Sequence, residues 1–241
     1  MATAAPEAHA PCPRYFAYGS NMDPAQMVRR GVPFVSARPA VLRGFRLDFT
    51  YPAFERWLGG AADVVPEPAG TVEGVLYGLA DESDLPKMDR FEGVHEGAYR
   101  RELVEVWLPG VRDPVPAWAY AVVDKRASMT PSPGYIGQMV AGARANGLSR
   151  GYVGMLEGIL GRSRREMRPL LRVLGALDAR KGPVAVDEVA ASARMGREEV
   201  LARLSDLSSW GWAEPAPDGC YRLRPARWGD VPKVTGSALG L

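Results

Sequence analysis

The chain has 241 residues, of which 46% are hydrophobic, and its formal net charge of +2 points to no strongly charged partner. Its two cysteines, Cys12 and Cys220, are far apart, which argues against both a zinc site and a disulfide framework. No apolar run approaches the roughly 18 residues of a membrane helix, and residues 1–12 lack the pattern of a secretory signal. We therefore expect a cytoplasmic protein without membrane contact, in which residues 1–12 form a disordered leader.

The first predicted strand, residues 15–18, is rich in aromatic residues and breaks at Gly19. After Asn21 the chain enters a short helix, for which Asp23 is a suitable N-cap and Gln26 completes a capping box. Where a strand leads through a short loop into a helix, the first backbone N–H groups of the helix have no partner within it. Such groups suit an anion or a developing oxyanion. This strand-to-helix loop is therefore the first candidate for a functional site.

Alternating apolar and polar residues predict strands over 40–51 and 99–108, and further strands are predicted over 61–65, 71–79 and 115–123. Capping residues and glycines predict helices over 81–91, 132–146 and 149–160. A segment that begins with strands and has its helices mainly toward its C-terminal end is typical of an α+β domain, to which we assign residues 13–161.

Beyond a polar segment at 161–165, which we interpret as a joint, the pattern changes to short amphipathic helices followed by a hairpin. The helices are predicted over 167–177, 186–193 and 197–210, and the hairpin turns at Pro-Ala-Pro-Asp-Gly. Three helices and a hairpin predict a winged helix-turn-helix-like domain over residues 162–225. The remaining residues, 226–241, are expected to form a flexible tail.

A domain of this shape could bind nucleic acid, dock a protein or a peptide, or form a homodimer. DNA-binding versions usually carry basic residues on the third helix. Here that helix carries two arginines against three acidic residues, namely Arg197 and Arg203 against Glu198, Glu199 and Asp206. Contact with a protein, a peptide or a second copy is therefore favoured over nucleic acid.

The loop Tyr18-Gly19-Ser20-Asn21, followed at a distance by Glu92 in the sequence F-E-G-V, resembles the γ-glutamylcyclotransferase family. Further stretches of the family agree in order: F-R-L-D-F at 45–49, G-G-A-A-D at 59–63, Tyr99, P-S-P-G-Y at 131–135, G-A-R-A-N-G-L at 142–148 and Tyr152. The resemblance covers residues 14–160. It implies a small β-barrel-like core with surrounding helices.

The resemblance also implies an enzyme that cleaves γ-glutamyl amides by cyclisation, without a metal or a cofactor. The α-amine of the substrate attacks its own γ-carbonyl carbon, which releases 5-oxoproline and an amine or amino acid. Tyr18, Gly19, Ser20 and Asn21 are implied to bind the substrate, with Glu92 as the general base and acid. This chemistry suits the residues, since one carboxyl group can take and return a proton and loop amides can stabilise the carbonyl oxygen.

Several alternatives stay open at this point. Tyr99, Tyr120 and Tyr135 could line the substrate pocket or pack in the core. The substrate could be a free γ-glutamyl amino acid, a protected biosynthetic intermediate or a modified peptide. A different hypothesis is a regulator whose barrel senses a small amide while the C-terminal domain binds DNA or a protein; Glu92 counts against it, because a sensor needs no acid or base.

Overall fold

The computed structural model describes residues 13–227 and 230–236. The predicted leader, residues 1–12, lies outside these ranges, as do residues 228–229 and 237–241. The described residues group into two compact units. The first holds residues 13–47, 63–124 and 142–149, and the second holds residues 48–62, 125–141, 150–227 and 230–236.

Five strands form a closed barrel in the order β1-β3-β2-β4-β5. They are β1 (Arg14–Ala17), β2 (Phe34–Pro52), β3 (Gly60–Leu79), β4 (Tyr99–Trp107) and β5 (Val115–Val122). The barrel confirms the predicted barrel-like core and the mixed α+β class. The two strands predicted over 61–65 and 71–79 are one strand, β3, because the prolines between them lie in extended backbone and do not end it.

The helices of the described residues are α1 (Pro24–Arg29), α2 (Phe54–Trp57), α3 (Asp84–Phe91), α4 (Pro133–Ala145), α5 (Arg150–Glu166), α6 (Arg168–Arg180), α7 (Val186–Ala193), α8 (Arg197–Ser209) and α9 (Val231–Thr235). Within the same residues, no helix combines the length and the apolar character that crossing a membrane requires. The cytoplasmic location remains a prediction.

Strand pairing decides which side chains share a face of the barrel. Tyr15 of β1 lies beside Trp118 of β5. The pairing of β4 with β5 places Arg101 opposite Tyr120 and Leu103 opposite Trp118. Because side chains alternate along a strand, these five residues project from one face of the sheet. Tyr15 and Tyr120 are buried there, and their ring centroids are 5.7 Å apart.

In the second unit, α6, α7 and α8 pack around a small sheet formed by β6 (Val184–Ala185), β7 (Ala213–Ala216) and β8 (Cys220–Leu223). The sheet is antiparallel in the order β6-β8-β7. The predicted helices and hairpin are present, whereas β6 has too few residues for an alternating pattern. The helices bury one continuous apolar core that includes Leu170, Leu174, Leu177, Val189, Val200, Leu204 and Leu207.

Trp212 is the largest fully buried side chain of this core, and its indole Nε1 donates a hydrogen bond to the Phe54 carbonyl oxygen at 2.8 Å. We expect Trp212→Phe to lower the free energy of unfolding of the second unit by about 1–3 kcal/mol, because it leaves a void and removes the donor. Urea unfolding followed by circular dichroism measures the change. Leu201→Ala, at an exposed position of α8, is the control and should change stability little.

The polar segment at 161–165 is not a joint. Helix α5 runs through it to Glu166, and α6 begins two residues later at Arg168. The hydroxyl of Ser163 is buried and donates to the Pro131 carbonyl oxygen at 2.6 Å, which ties this part of α5 to the segment before α4. The predicted boundary between residues 161 and 162 therefore falls inside a helix, and the second unit already includes α5 from its start.

The predicted flexible tail, residues 226–241, is helical in part of its described range. Helix α9 buries Val231 and Val234 in the core of the second unit. Gly134 makes this packing possible, because a Cβ atom at that position would lie 1.4 Å from the Lys233 carbonyl oxygen. The tail prediction is therefore wrong for Val231–Thr235, where two apolar residues three positions apart share one helix face.

Candidate functional site

The predicted strand-to-helix loop is present and is held from several sides. A single 3₁₀ turn, Ser20–Met22, follows β1 and precedes α1. The Tyr77 hydroxyl lies 3.0 Å from the Asn21 carbonyl oxygen and 3.2 Å from that of Met22 and can donate to either, and Asn146 Nδ2 donates to the Met22 oxygen at 2.9 Å. The loop carbonyls are thus engaged by side chains of the first unit, which fixes the course of its backbone.

The backbone N–H groups of the loop differ from its carbonyl groups in their hydrogen-bond partners. The Met22 N–H donates to the Gly19 carbonyl oxygen at 3.0 Å and closes the turn. The first N–H groups of a helical turn have no acceptor inside that turn. Ser20 and Asn21 occupy these positions, so their amides are suited to an acceptor on a ligand.

Glu92 lies directly after α3, where it forms the C-cap and its N–H bonds to the Met88 carbonyl oxygen at 3.0 Å. Its Oε1 atom accepts a hydrogen bond from Asn21 Nδ2 at 2.9 Å and one from Arg30 Nη1 at 2.8 Å. The side chain is 16% exposed. The structure thus brings together Asn21 and Glu92, which lie 71 positions apart in the sequence.

Asn21 connects this carboxylate to the barrel. Its Nδ2 atom also donates to the Tyr15 hydroxyl at 2.8 Å, and its Oδ1 atom accepts from Gln26 Nε2 at 2.8 Å. Gln26 Nε2 lies at the same distance from Ser20 Oγ. Both hydrogens of the Asn21 amide are therefore used, which fixes the orientation of that side chain beside Glu92.

Gln26 and Arg30 are site residues that the sequence interpretation missed. Gln26 does not complete a capping box; its side chain is buried against Ser20 and Asn21, while Asp23 caps α1 through the Ala25 N–H at 2.9 Å. Arg30 follows four positions after Gln26, and residues so spaced share one side of a helix. A polar pair at this spacing, directly after the loop, is the signal that could have identified them.

Arg30 and Glu92 form an ion pair with little solvent access, since the arginine side chain is 10% exposed. The guanidinium carbon lies 4.8 Å from the centroid of the Phe91 ring, so the cation also stacks on an aromatic face. The arginine is held on two sides and can orient the carboxylate. Within residues 13–227 and 230–236, no group of His, Cys, Asp and Glu is arranged to hold a metal ion.

Three buried tyrosines surround this cluster and are held in their neutral form. Burial raises the pKa of Tyr15 well above its usual value, and the nearby Glu92 charge raises it further. Burial likewise raises the pKa of Tyr77 and of Tyr120, and the Tyr120 hydroxyl donates to Asp89 Oδ1 at 2.8 Å. These phenols therefore act as hydrogen-bonding groups and not as anions.

The two other tyrosines predicted at the site differ in their surroundings. Tyr99 begins β4 opposite Val122 and is buried, so both pocket lining and core packing stay open for it. Tyr135 belongs to the second unit, where its hydroxyl accepts a hydrogen bond from the Ala62 N–H at 3.0 Å. Its ring packs edge-on against Phe49 and Trp57. These contacts fix the position of Tyr135, and its role in substrate binding stays a prediction.

Comparison with known proteins gives consistent matches. The AIG2-like family matches residues 71–156. The chain is 33% identical to the γ-glutamylcyclotransferase of Bos taurus and 30% identical to that of Homo sapiens, in each case over 148 residues that cover 60% of this chain and 77% of the relative.

Solved structures agree. One titled γ-glutamyl cyclotransferase has a TM-score of 0.55 and 30% identity, and the match covers 60% of this chain and 86% of that one. The crystal structure of YkqA from Bacillus subtilis has a TM-score of 0.56 and 32% identity, and the match covers 62% of this chain and 54% of that one. More than a third of the present chain lies outside each of these matches.

Proposed function

Because this chain belongs to the γ-glutamylcyclotransferase family and is an enzyme that cyclises γ-glutamyl amides, we propose that Glu92 is the acid and base of its reaction. The observation that carries the proposal is the approach of Glu92 Oε1 to Asn21 Nδ2, at 2.9 Å. A carboxylate held beside a loop with available amides combines a proton acceptor with oxyanion donors.

In the proposed reaction, the neutral α-amine of the substrate attacks the γ-carbonyl carbon, and a new C–N bond closes a five-membered ring. Glu92 accepts the proton that the amine nitrogen loses. When the tetrahedral intermediate collapses, the original amide C–N bond breaks and Glu92 returns the proton to the departing nitrogen. The products are 5-oxoproline and a free amine, and the carboxylate is regenerated.

The loop supplies the second part of the proposal. Ring closure is intramolecular, so the site accelerates it mainly by holding the folded conformer of the γ-glutamyl group. We assign this task to Tyr18, Gly19, Ser20 and Asn21, whose amides at Ser20 and Asn21 suit the negative charge that develops on the carbonyl oxygen. Gln26 and Arg30 act as positioning residues, since they bond to loop side chains and to Glu92 respectively.

Incubation of the purified chain with a set of γ-glutamyl amides, followed by chromatographic detection of 5-oxoproline, tests the reaction. The set should include a γ-glutamyl amino acid, a γ-glutamyl peptide and a γ-glutamyl alkylamine, because the leaving amine is not defined by Glu92 and the loop. Release of 5-oxoproline together with an equal amount of amine is the expected result. Release of free glutamate instead would contradict cyclisation, because it requires water as the nucleophile.

The position of the loop against α4 gives a sharper test. A Cβ atom at Gly142 would lie 2.6 Å from the Met22 carbonyl carbon and 2.7 Å from the Asp23 nitrogen. We expect Gly142→Ala to displace the loop and lower kcat/KM by about tenfold to a hundredfold, because small misplacements near reacting groups are costly. Gly137→Ala, in the same helix, meets no atom within 4 Å and is the matched control. Equal activity of both variants would show that the loop position is not critical.

For the C-terminal part of the second unit, we propose a winged-helix-type domain that contacts a protein, a peptide or a second copy of the chain. The order α6-β6-α7-α8-β7-β8 and the sheet order β6-β8-β7 support this assignment. On α8, Arg197 pairs with Asp187 and Arg203 with Asp206, so its arginines are neutralised by acidic neighbours. This charge balance disfavours a nucleic-acid role.

A further inference from the structure

A surface with two half-buried tryptophans lies on strands β2, β4 and β5 of the first unit, and the proposed reaction does not use it. We call it the tryptophan face; it consists of Arg43, Arg101, Leu103, Trp107 and Trp118. Leu103 is 63% exposed and lies opposite Trp118 in the β4–β5 pairing. Both tryptophans are half-buried. An exposed leucine beside partly accessible tryptophans is typical of a recognition surface.

The buried side chains of Tyr15 and Tyr120 connect the tryptophan face to the candidate site. Trp118 neighbours Tyr15 on the adjacent strand, at a strand spacing of about 4.8 Å. The Tyr15 hydroxyl accepts the hydrogen bond from Asn21, which also bonds to Glu92. A second connection runs through Arg101, whose Nε lies 3.0 Å from Asp89 Oδ1, the acceptor of the Tyr120 hydroxyl.

Arginines cover both indole rings of this surface. The guanidinium carbon of Arg101 lies 5.5 Å from the Trp118 centroid, and that of Arg43 lies 4.6 Å from the Trp107 centroid. Cation–π contacts of this kind hold the rings in one orientation before a ligand arrives. Tryptophan and arginine are also the side chains most enriched where proteins bind peptides and other proteins.

The extent of the surface indicates the size of its ligand. Leu103 and Trp107 are four residues apart on β4, which corresponds to about 13 Å of strand. Trp118 adds a second strand toward Tyr15. A single amino acid released from a γ-glutamyl amide could not cover this distance, whereas a peptide of about four extended residues could.

We propose that the tryptophan face binds the leaving part of an extended substrate, a peptide whose N-terminus carries a γ-glutamyl group and whose first residues have aromatic or apolar side chains. This inference rests on the proposed function, because the peptide is the amine that Glu92 protonates when the amide bond breaks.

The test compares the full chain on two probes of equal length, γ-glutamyl-Phe-Ala-Phe and γ-glutamyl-Ser-Ala-Ser, with 5-oxoproline release as the readout. We expect the wild type to show a KM about tenfold lower for the Phe probe, because two aromatic side chains are removed from water. Leu103→Ser should reduce this preference about threefold to fivefold. Val35→Ser, at a position 68% exposed elsewhere in the first unit, is the matched control and should retain the preference.

Each outcome separates this inference from the proposed function. Equal KM values for the two probes in the wild type, or an unchanged preference in Leu103→Ser, would overturn the peptide assignment while catalysis stands. A change of oligomeric state in Leu103→Ser, measured by analytical ultracentrifugation, with an unchanged preference would assign the tryptophan face to a second copy and would also overturn it. Absence of 5-oxoproline from both probes, with release from a γ-glutamyl amino acid or alkylamine, would overturn this inference alone. Absence from all of these substrates would overturn the proposed function and this inference with it.

Discussion

Glu92→Gln is expected to lower kcat for 5-oxoproline release by at least about 10²–10⁴-fold, the usual contribution of a positioned acid or base. The amide is nearly isosteric with the carboxyl group, and its oxygen can still accept the hydrogen bonds that Asn21 and Arg30 donate. It cannot accept the proton of the attacking amine. Steady-state kinetics with a γ-glutamyl amide, together with the circular dichroism spectrum of the variant, measures the loss separately from folding.

Glu96→Gln is the matched control for this substitution. Glu96 lies four residues further along the chain, is exposed and ends the 3₁₀ turn that follows α3. Its replacement removes one negative charge from the same region without touching the candidate site, so kcat should stay within a factor of about two of wild type. If Glu92→Gln and Glu96→Gln have the same modest effect, the role proposed for Glu92 is wrong.

The second large effect is expected at Arg30. Arg30→Met leaves the Glu92 carboxylate with one of its two donors and removes its paired charge. Hydrogen bonds to charged groups contribute about 1.5–3 kcal/mol, so we expect kcat to fall about tenfold to a hundredfold. KM should change less, because Arg30 acts on the substrate through Glu92. Arg30→Lys retains a cation at this position and should recover part of kcat.

Arg29→Met serves as the control, since Arg29 is the neighbouring arginine, is 62% exposed and pairs with Asp23 at the surface. It should leave both kinetic constants close to wild type. A rise in KM for Arg30→Met without a fall in kcat would mean that Arg30 binds the substrate directly. That result would replace the positioning role with a contact to the α-carboxylate of the γ-glutamyl group.

Features that depend on neighbouring residues in the chain were predicted well. The aromatic strand at Tyr15, its break at Gly19 and the N-cap at Asp23 follow from local backbone preferences. The end of α3 at Glu92 is marked by the glycine that follows it, which adopts a φ of +63°. The two-part pattern of strands followed by short amphipathic helices is likewise a local signal.

Features that depend on distant contacts were predicted poorly. The polar segment at 161–165 suggests a joint, yet the bond from Ser163 to Pro131 holds it inside α5. Tyr135 lies in a stretch that resembles the family, but nothing in that stretch indicates that its hydroxyl accepts a hydrogen bond from the Ala62 N–H. In both cases the hydrogen-bond partner lies more than 30 positions away in the chain, so neighbouring residues do not indicate the contact.

The loop from Tyr18 to Asn21, the carboxylate at Glu92 and the family to which they point could be identified from the sequence, because strand breaks, caps and ordered motifs depend on adjacent residues. How the loop and the carboxylate contact each other became visible only in the folded chain. Asn21 contacts Glu92 and Tyr15 at once, and Gln26 and Arg30 complete the cluster from one side of α1. The tryptophan face also needed the barrel register, since pairing between strands, and not sequence order, places Trp118 between Tyr15 and Leu103.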